Sequence, residues 1–187
     1  MSYDLSIFAP KLNADLVDQW TKRLNAYDRI EYEFHPSVKF EIGWFGFWPI
    51  KITTPRPRLF SARQEYMSGF DMSVLNFDFE SYFNLKNDEV ETRREQLRAE
   101  GLDLELWEGF KSQVLISFKP NNRFEARLSF ISAAILTEEL GGICNDPQTG
   151  EMLGQGHVFS WAIERVSQYD LDTQGQNLTS HPFDGWK

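Results

Sequence analysis

Two segments with the same order of strand and helix patterns limit the fold more than any other feature of this chain. Residues 2–34 read as strand, helix and strand, and residues 113–145 repeat that order without residue-level similarity. The stretch between them is rich in strand patterns and aromatic residues. This organisation predicts an α+β fold with a mixed or antiparallel sheet, covered on one face by three amphipathic helices.

The first helix is predicted from Leu16, Trp20 and Leu24, which fall on one helical face. Residues 40–52 have strand composition interrupted by glycines and a proline, which indicates two short strands or one bulged strand close to a sheet edge. Residues 88–110 are expected to form a helix that is broken near Gly101.

The second half of the chain has clear start and stop signals. We expect a helix that begins with a capping box of Asn122 and Glu125 and ends at Gly141-Gly142. The D-P-Q-T-G sequence at residues 146–150 predicts a turn, and residues 157–169 predict a last helix. We therefore expect one domain over residues 1–171 and a loosely attached tail over residues 172–187.

The charge of the chain limits its partners. Among 187 residues the formal net charge is −9, and such a surface repels nucleic-acid phosphates and anionic lipid. The opening residues lack the basic and apolar pattern of a secretory signal, so we expect a cytoplasmic protein that contacts neither nucleic acid nor membrane. The single cysteine, Cys144, excludes an internal disulfide and a thiolate-rich zinc site.

The sequence contains no recognisable catalytic motif. His35, His157 and His181 lie at no metal-ligand spacing, and there is no nucleophile elbow, Walker loop or dinucleotide fingerprint. We therefore predict no catalytic residue, no metal and no cofactor.

Two surfaces are candidates for binding a partner. Eleven acidic and four basic residues lie between Asp71 and Glu108, and this segment is either a solvated helix face or a docking surface for a basic partner, with Asp88, Glu91 and Glu95 as candidate contacts. The aromatic run at residues 44–48 is either core or, through an exposed Trp44 or Trp48, an interface anchor.

Two places in the sequence also resemble a known group of proteins. The opening Met1-Ser2-Tyr3-Asp4-Leu5, followed by a strand and an amphipathic helix, resembles small bacterial proteins found beside polymorphic or contact-delivered toxins. The run from Ala134 through Leu140-Gly141-Gly142 to the D-P-Q-T-G turn resembles them too, and the two places cover about a third of the chain. Such proteins are often non-enzymatic immunity proteins that bind one cognate toxin, and the resemblance maps no functional residue.

Two classes of function follow. The first is a non-enzymatic cytoplasmic immunity protein that neutralises a cognate bacterial toxin by direct binding. The alternative is a hydrolase or transferase with dispersed acidic residues beside aromatic walls, for which Asp71, Asp78 and Asp146 are the candidates. A structural or phage-related assembly component is a third possibility. The oligomeric state is left open by the sequence.

Overall fold

The computed structural model describes residues 2–13, 15–55, 63–85, 90–122 and 124–186. In this part of the chain the strands are β1 (Tyr3–Ala9), β2 (Glu31–Phe34), β3 (Phe45–Thr54), β4 (Gln64–Asn76), β5 (Ser112–Phe118), β6 (Ile143–Asp146), β7 (Glu151–Leu153) and β8 (His181–Pro182). The helices are α1 (Leu16–Tyr27), α2 (Phe79–Tyr82), α3 (Val90–Ala99), α4 (Leu104–Gly109), α5 (Glu125–Leu140) and α6 (Val158–Asp172).

The described strands form one antiparallel sheet, which confirms the predicted α+β fold. Their order is β2-β3-β4-β5-β1-β6-β7, and β8 pairs with one end of β4. Strand β1 lies inside the sheet, where Ile7 is opposite Val114 of β5 and Cys144 of β6. The first two predicted strands, β1 and β2, are therefore not neighbours.

The main core lies between the sheet and helices α1, α5 and α6. Helix α1 buries Leu16, Trp20 and Leu24 on one face, as the spacing predicts. Helix α5 is buried on nearly all sides, because α1 and α6 pack against it while it lies on the sheet. Its central residues 130–136 are accordingly apolar on every side except for Ser132.

A second, smaller cluster covers one end of the opposite face of the sheet. Phe8 points away from the main core and packs against Phe77, Trp107 and Phe110. The helix predicted over residues 88–110 is interrupted where expected, since α3 and α4 are separated by a turn in which Gly101 has φ 89°. Helices α2 to α4 hold this cluster in place.

One local prediction is made more specific by the structure, and another needs correction. Of the two alternatives for residues 40–52, the structure has a single strand, over residues 45–54, which lies one position in from the β2 edge. The capping box is wrong: α5 begins after Phe124, and Glu125 Oε1 accepts the N–H of Lys119 at 3.1 Å instead of that of Asn122. The Gly141 stop is confirmed by its left-handed φ of 66°.

The segment after α6, expected to be loosely attached, contacts the rest of the described chain at three places, one of them in the sheet. Thr179 bridges Asn122, β8 pairs with Tyr66 and Met67, and the ring of Trp186 lies 4.8 Å from that of His35. Among the helices of the described ranges, none is long and apolar enough to cross a membrane.

Candidate functional site

One face of the sheet is left partly open by the described elements. The alternation that points Trp48, Ile50 and Ile52 into the main core points Phe45 and Phe47 to the other side. Phe45 is 80% exposed and Phe47 is 50% exposed. The strand register places a row of side chains across six strands from Phe45: Ser73, Leu115, Ser6, Asn145 and Met152. We call the part of this face around Phe45 and Phe47 the open face.

A cavity of about 410 Å³ adjoins the open face. Strand β4 pairs with β5 only from Asp71 onward and with β8 only at Tyr66 and Met67. Residues 68–70 therefore have no described strand partner on that side, and the cavity occupies this gap. Phe47 belongs both to the open face and to the cavity wall.

The position of Phe47 depends on Gly69. A Cβ at residue 69 would lie 2.0 Å from the carbonyl oxygen of Trp48 and 2.8 Å from the ring of Phe47. Because only glycine leaves that space free, the ring of Phe47 can lie over β4 beside the cavity.

Titratable side chains line the cavity with mixed charge. Asp71 and Glu125 contribute carboxylates, and Lys119 and His181 contribute basic groups. Burial raises the pKa of Glu125, and the negative charge of Asp71 raises it further, while the backbone N–H of Lys119 lowers it. A carboxyl of raised pKa near a second acid can exchange protons or accept a cation.

The two candidate aromatic anchors, Trp44 and Trp48, differ in how deeply they are buried. Trp48 is fully buried and packs against Trp20, Phe34 and Phe40. Trp44 is partly buried, and its indole N–H has no hydrogen-bond partner within the described residues. The exposed aromatic surface of this run is therefore formed by Phe45 and Phe47, which the sequence analysis did not select.

The acidic segment is electrically balanced over helix α3. Glu91 and Glu95 are exposed there, and Asp88 lies outside the described residues. Helix α3 also contains three arginines, and Arg98 forms an ion pair with Glu91 at 3.6 Å. Arg94 pairs with Glu108 of α4 at 2.7 Å. The excess of acid in the sequence is thus not concentrated on this helix.

The three acids considered for catalysis are not brought together. Asp71 lies in the cavity beside Phe47, whereas Asp78 accepts the N–H of Ser81 and caps α2. Asp146 is fully buried, where its Oδ2 accepts the hydroxyl of Tyr3 at 2.5 Å and lies 3.6 Å from Arg165. Asp146 therefore stabilises the predicted turn, in which the N–H of Gly150 donates to its carbonyl oxygen.

The cavity instead brings together Glu125, Asn122 and His181, which the sequence predicts as parts of a helix cap and as an isolated histidine rather than as residues of one site. Asn122 and Glu125 come from the connection between β5 and α5 and from the first residue of α5, and the tail's return to β4 adds His181 beside them. No sequence signal marks that return.

The remaining candidate groups show no reactive geometry. Cys144 is buried, and this burial raises the pKa of its thiol to about 12. Within the part of the chain that the structure describes, no three His, Cys, Asp or Glu side chains form a metal-binding group. No protein-family model, curated protein or solved structure matches this chain.

Proposed function

We propose that this chain is an immunity-type binding protein, which neutralises a cognate bacterial toxin in the cytoplasm by docking it on the open face. The observation that supports this most is the exposure of Phe45 and Phe47 side by side on a sheet face that the described elements leave partly open. Large aromatic rings that are exposed together are typical of binding hot spots, where they become buried against a partner.

The charge around these rings favours a basic partner. Asp71 lies directly opposite Phe47 in the strand register, and it forms no ion pair with any described residue. Asp4 follows in the same row, where its carboxylate accepts the hydroxyl of Ser117 at 2.6 Å. With a net charge of −9 for the whole chain, this face attracts a basic surface and orients it before contact.

The test is co-purification with the product of the adjacent gene, followed by binding kinetics. A stable complex would bury about 800 Å² on each partner, with Phe45 near its centre. Phe45→Ser should weaken binding by about tenfold or more, because the ring's contacts are lost.

A matched control is Leu171→Ser on α6, since Leu171 is 65% exposed but lies on the helical side of the molecule. This variant should change the affinity less than about twofold. Equal loss of affinity in the two variants would place the interface elsewhere.

The alternative, a hydrolase or transferase, rests on one observation. The cavity places Asp71 beside the aromatic wall of Phe47 and near Glu125, whose pKa is raised. If this is the function, Glu125→Gln should abolish turnover of a substrate. The separate variant Phe45→Ser should keep full activity.

A further inference from the structure

We call the cavity next to the open face the socket, a term for a site that receives one side chain of a partner. It lies in the gap beside residues 68–70, and Phe47 and Met67 supply apolar wall. Its volume of about 410 Å³ is at the small end of the range for ligand pockets. Because Phe47 also belongs to the open face, a partner docked there lies at the mouth of this socket.

The acidic groups of the socket form no close ion pair within the described residues, although the charge of Lys119 is near enough to lower the pKa of Glu125. Glu125 Oε1 accepts the N–H of Lys119 at 3.1 Å, which leaves Oε2 available. Neither Asp71 nor Glu125 forms an ion pair with any described residue, including Lys119 and His181 of the same cavity. By formal charge, Asp71, Glu125 and Lys119 sum to one negative charge, which attracts an added cation.

A buried amide supplies a second and independent feature. Asn122 is only 9% exposed, and its Oδ1 accepts both the N–H of Phe124 at 3.0 Å and the hydroxyl of Ser68 at 3.2 Å. Its Nδ2 donates to no described residue, although Asn122 lines the cavity. A ligand that offers an acceptor for this amide as well as a cation for the carboxylates would therefore match the lining of the cavity.

An arginine residue within a peptide meets both demands. Its planar guanidinium has donors for two carboxylates at once and stacks on an aromatic ring such as that of Phe47. Its main-chain carbonyl is an acceptor for the amide of Asn122. Lysine provides a single point of charge and no flat surface, so it fits less well.

We propose that this cavity receives the guanidinium group of an arginine presented by the toxin. The inference rests on the proposed function, because it specifies the partner residue that the same face recognises.

The experiment uses the full chain alone, with N-acetyl-arginine amide as the probe and NMR as the readout. The arginine probe should shift the backbone signals of Gly69 and Asn122 with a Kd in the millimolar range, about 1–10 mM. N-acetyl-citrulline amide has nearly the same shape without the charge, and N-acetyl-lysine amide has the charge without the planar group. Both should bind at least about fivefold more weakly.

Two variants separate a binding role from a folding role. Glu125→Gln keeps the Oε1 acceptor for Lys119, and Asp71→Asn changes an exposed strand residue that forms no ion pair with any described residue. Each should weaken the arginine probe about fivefold or more, whereas Glu105→Gln on α4, distant from the cavity, should leave it unchanged. Equal binding of arginine and citrulline, or no binding of either, would overturn the inference.

The outcomes also separate this inference from the proposed function. Toxin binding that depends on Phe45 but not on Asp71 or Glu125, with no response to the arginine probe, refutes the socket and retains the function. An arginine response without any complex with the adjacent gene product retains the socket as an arginine site and refutes the immunity role.

Discussion

At the scale of single residues, Trp20 joins the helical layer to the sheet. Its side chain is fully buried, its indole N–H donates to Ser132 Oγ of α5 at 3.1 Å, and its ring contacts Phe34, Trp48 and Phe70. One side chain thus links three strands and two helices.

We predict that Trp20→Ala lowers the free energy of unfolding by about 3–5 kcal/mol, because it removes a large buried ring and leaves a cavity. Urea denaturation is the measurement. Gln19→Ala, on the exposed side of the same helix, should cost less than about 0.5 kcal/mol. A loss below about 1 kcal/mol at Trp20 would show that its face does not hold the core together.

Gly69 is the second residue whose identity is fixed by its surroundings. We predict that Gly69→Ala lowers the free energy of unfolding by about 1–3 kcal/mol, since the new Cβ would collide with the Trp48 carbonyl. Gly154→Ala is the matched control, because nothing lies within 4 Å of a Cβ there. Similar thermal midpoints for both variants would contradict the close approach of β3 and β4.

At the scale of elements, the start of α5 holds a carboxyl whose protonated form is favoured by folding. The pKa of Glu125 is raised, chiefly by burial, so its contribution to stability is full below the unfolded pKa and declines as the pH rises through the folded value. Glu125→Gln is neutral at every pH and escapes this decline.

We therefore predict that the stability of Glu125→Gln relative to the natural protein increases as the pH is raised from 4 to 7. Urea denaturation at the two pH values measures the difference. Glu125→Ala also removes the acceptor for Lys119 and should destabilise the protein at both pH values. A difference between Glu125→Gln and the natural protein that is constant with pH would show that burial does not perturb this group.

The elements themselves were largely predictable, while their assembly was not. The buried face of α1, the presence of the last helix, the break at Gly101 and the stop at Gly141 follow from periodicity and glycine placement, which are local properties. The return of β8 to β4 and the gap beside residues 68–70 depend on contacts between residues more than 100 positions apart. The cavity that forms there, and with it the role of Glu125, could not be read from local pattern.

At the scale of the whole molecule, some acidic side chains form ion pairs with arginines and others do not. Arginines neutralise acids on the helices: Arg23 pairs with Glu138 and Glu139, and Arg127 pairs with Asp28 and Asp170. Asp71 on the open face has no such partner among the described residues. The electrostatic field that acts on an approaching partner is therefore set more by the open face than by α3.

We predict that Asp71→Lys slows association with the toxin about tenfold at low salt, and that the effect shrinks as salt screens the charges. Reversing Glu91 and Glu95 together should have a smaller effect, because three arginines already balance that helix. Surface-based kinetics at two salt concentrations gives both rates. If the double reversal slows association more, α3 is the docking surface and the open face is not.

The interior position of β1 also fixes the order in which the sheet can be completed. Strands β2, β3 and β4 are neighbours in both chain and sheet, so they can pair once residue 76 has been synthesised. Strand β1 must wait for β5, since Tyr3 lies opposite Phe118, and for β6 after that. Such long-range pairing slows folding. On the ribosome, residues 3–9 remain open to proteolysis until the strand that ends at residue 118 emerges, and truncated nascent chains of increasing length would report when that protection begins.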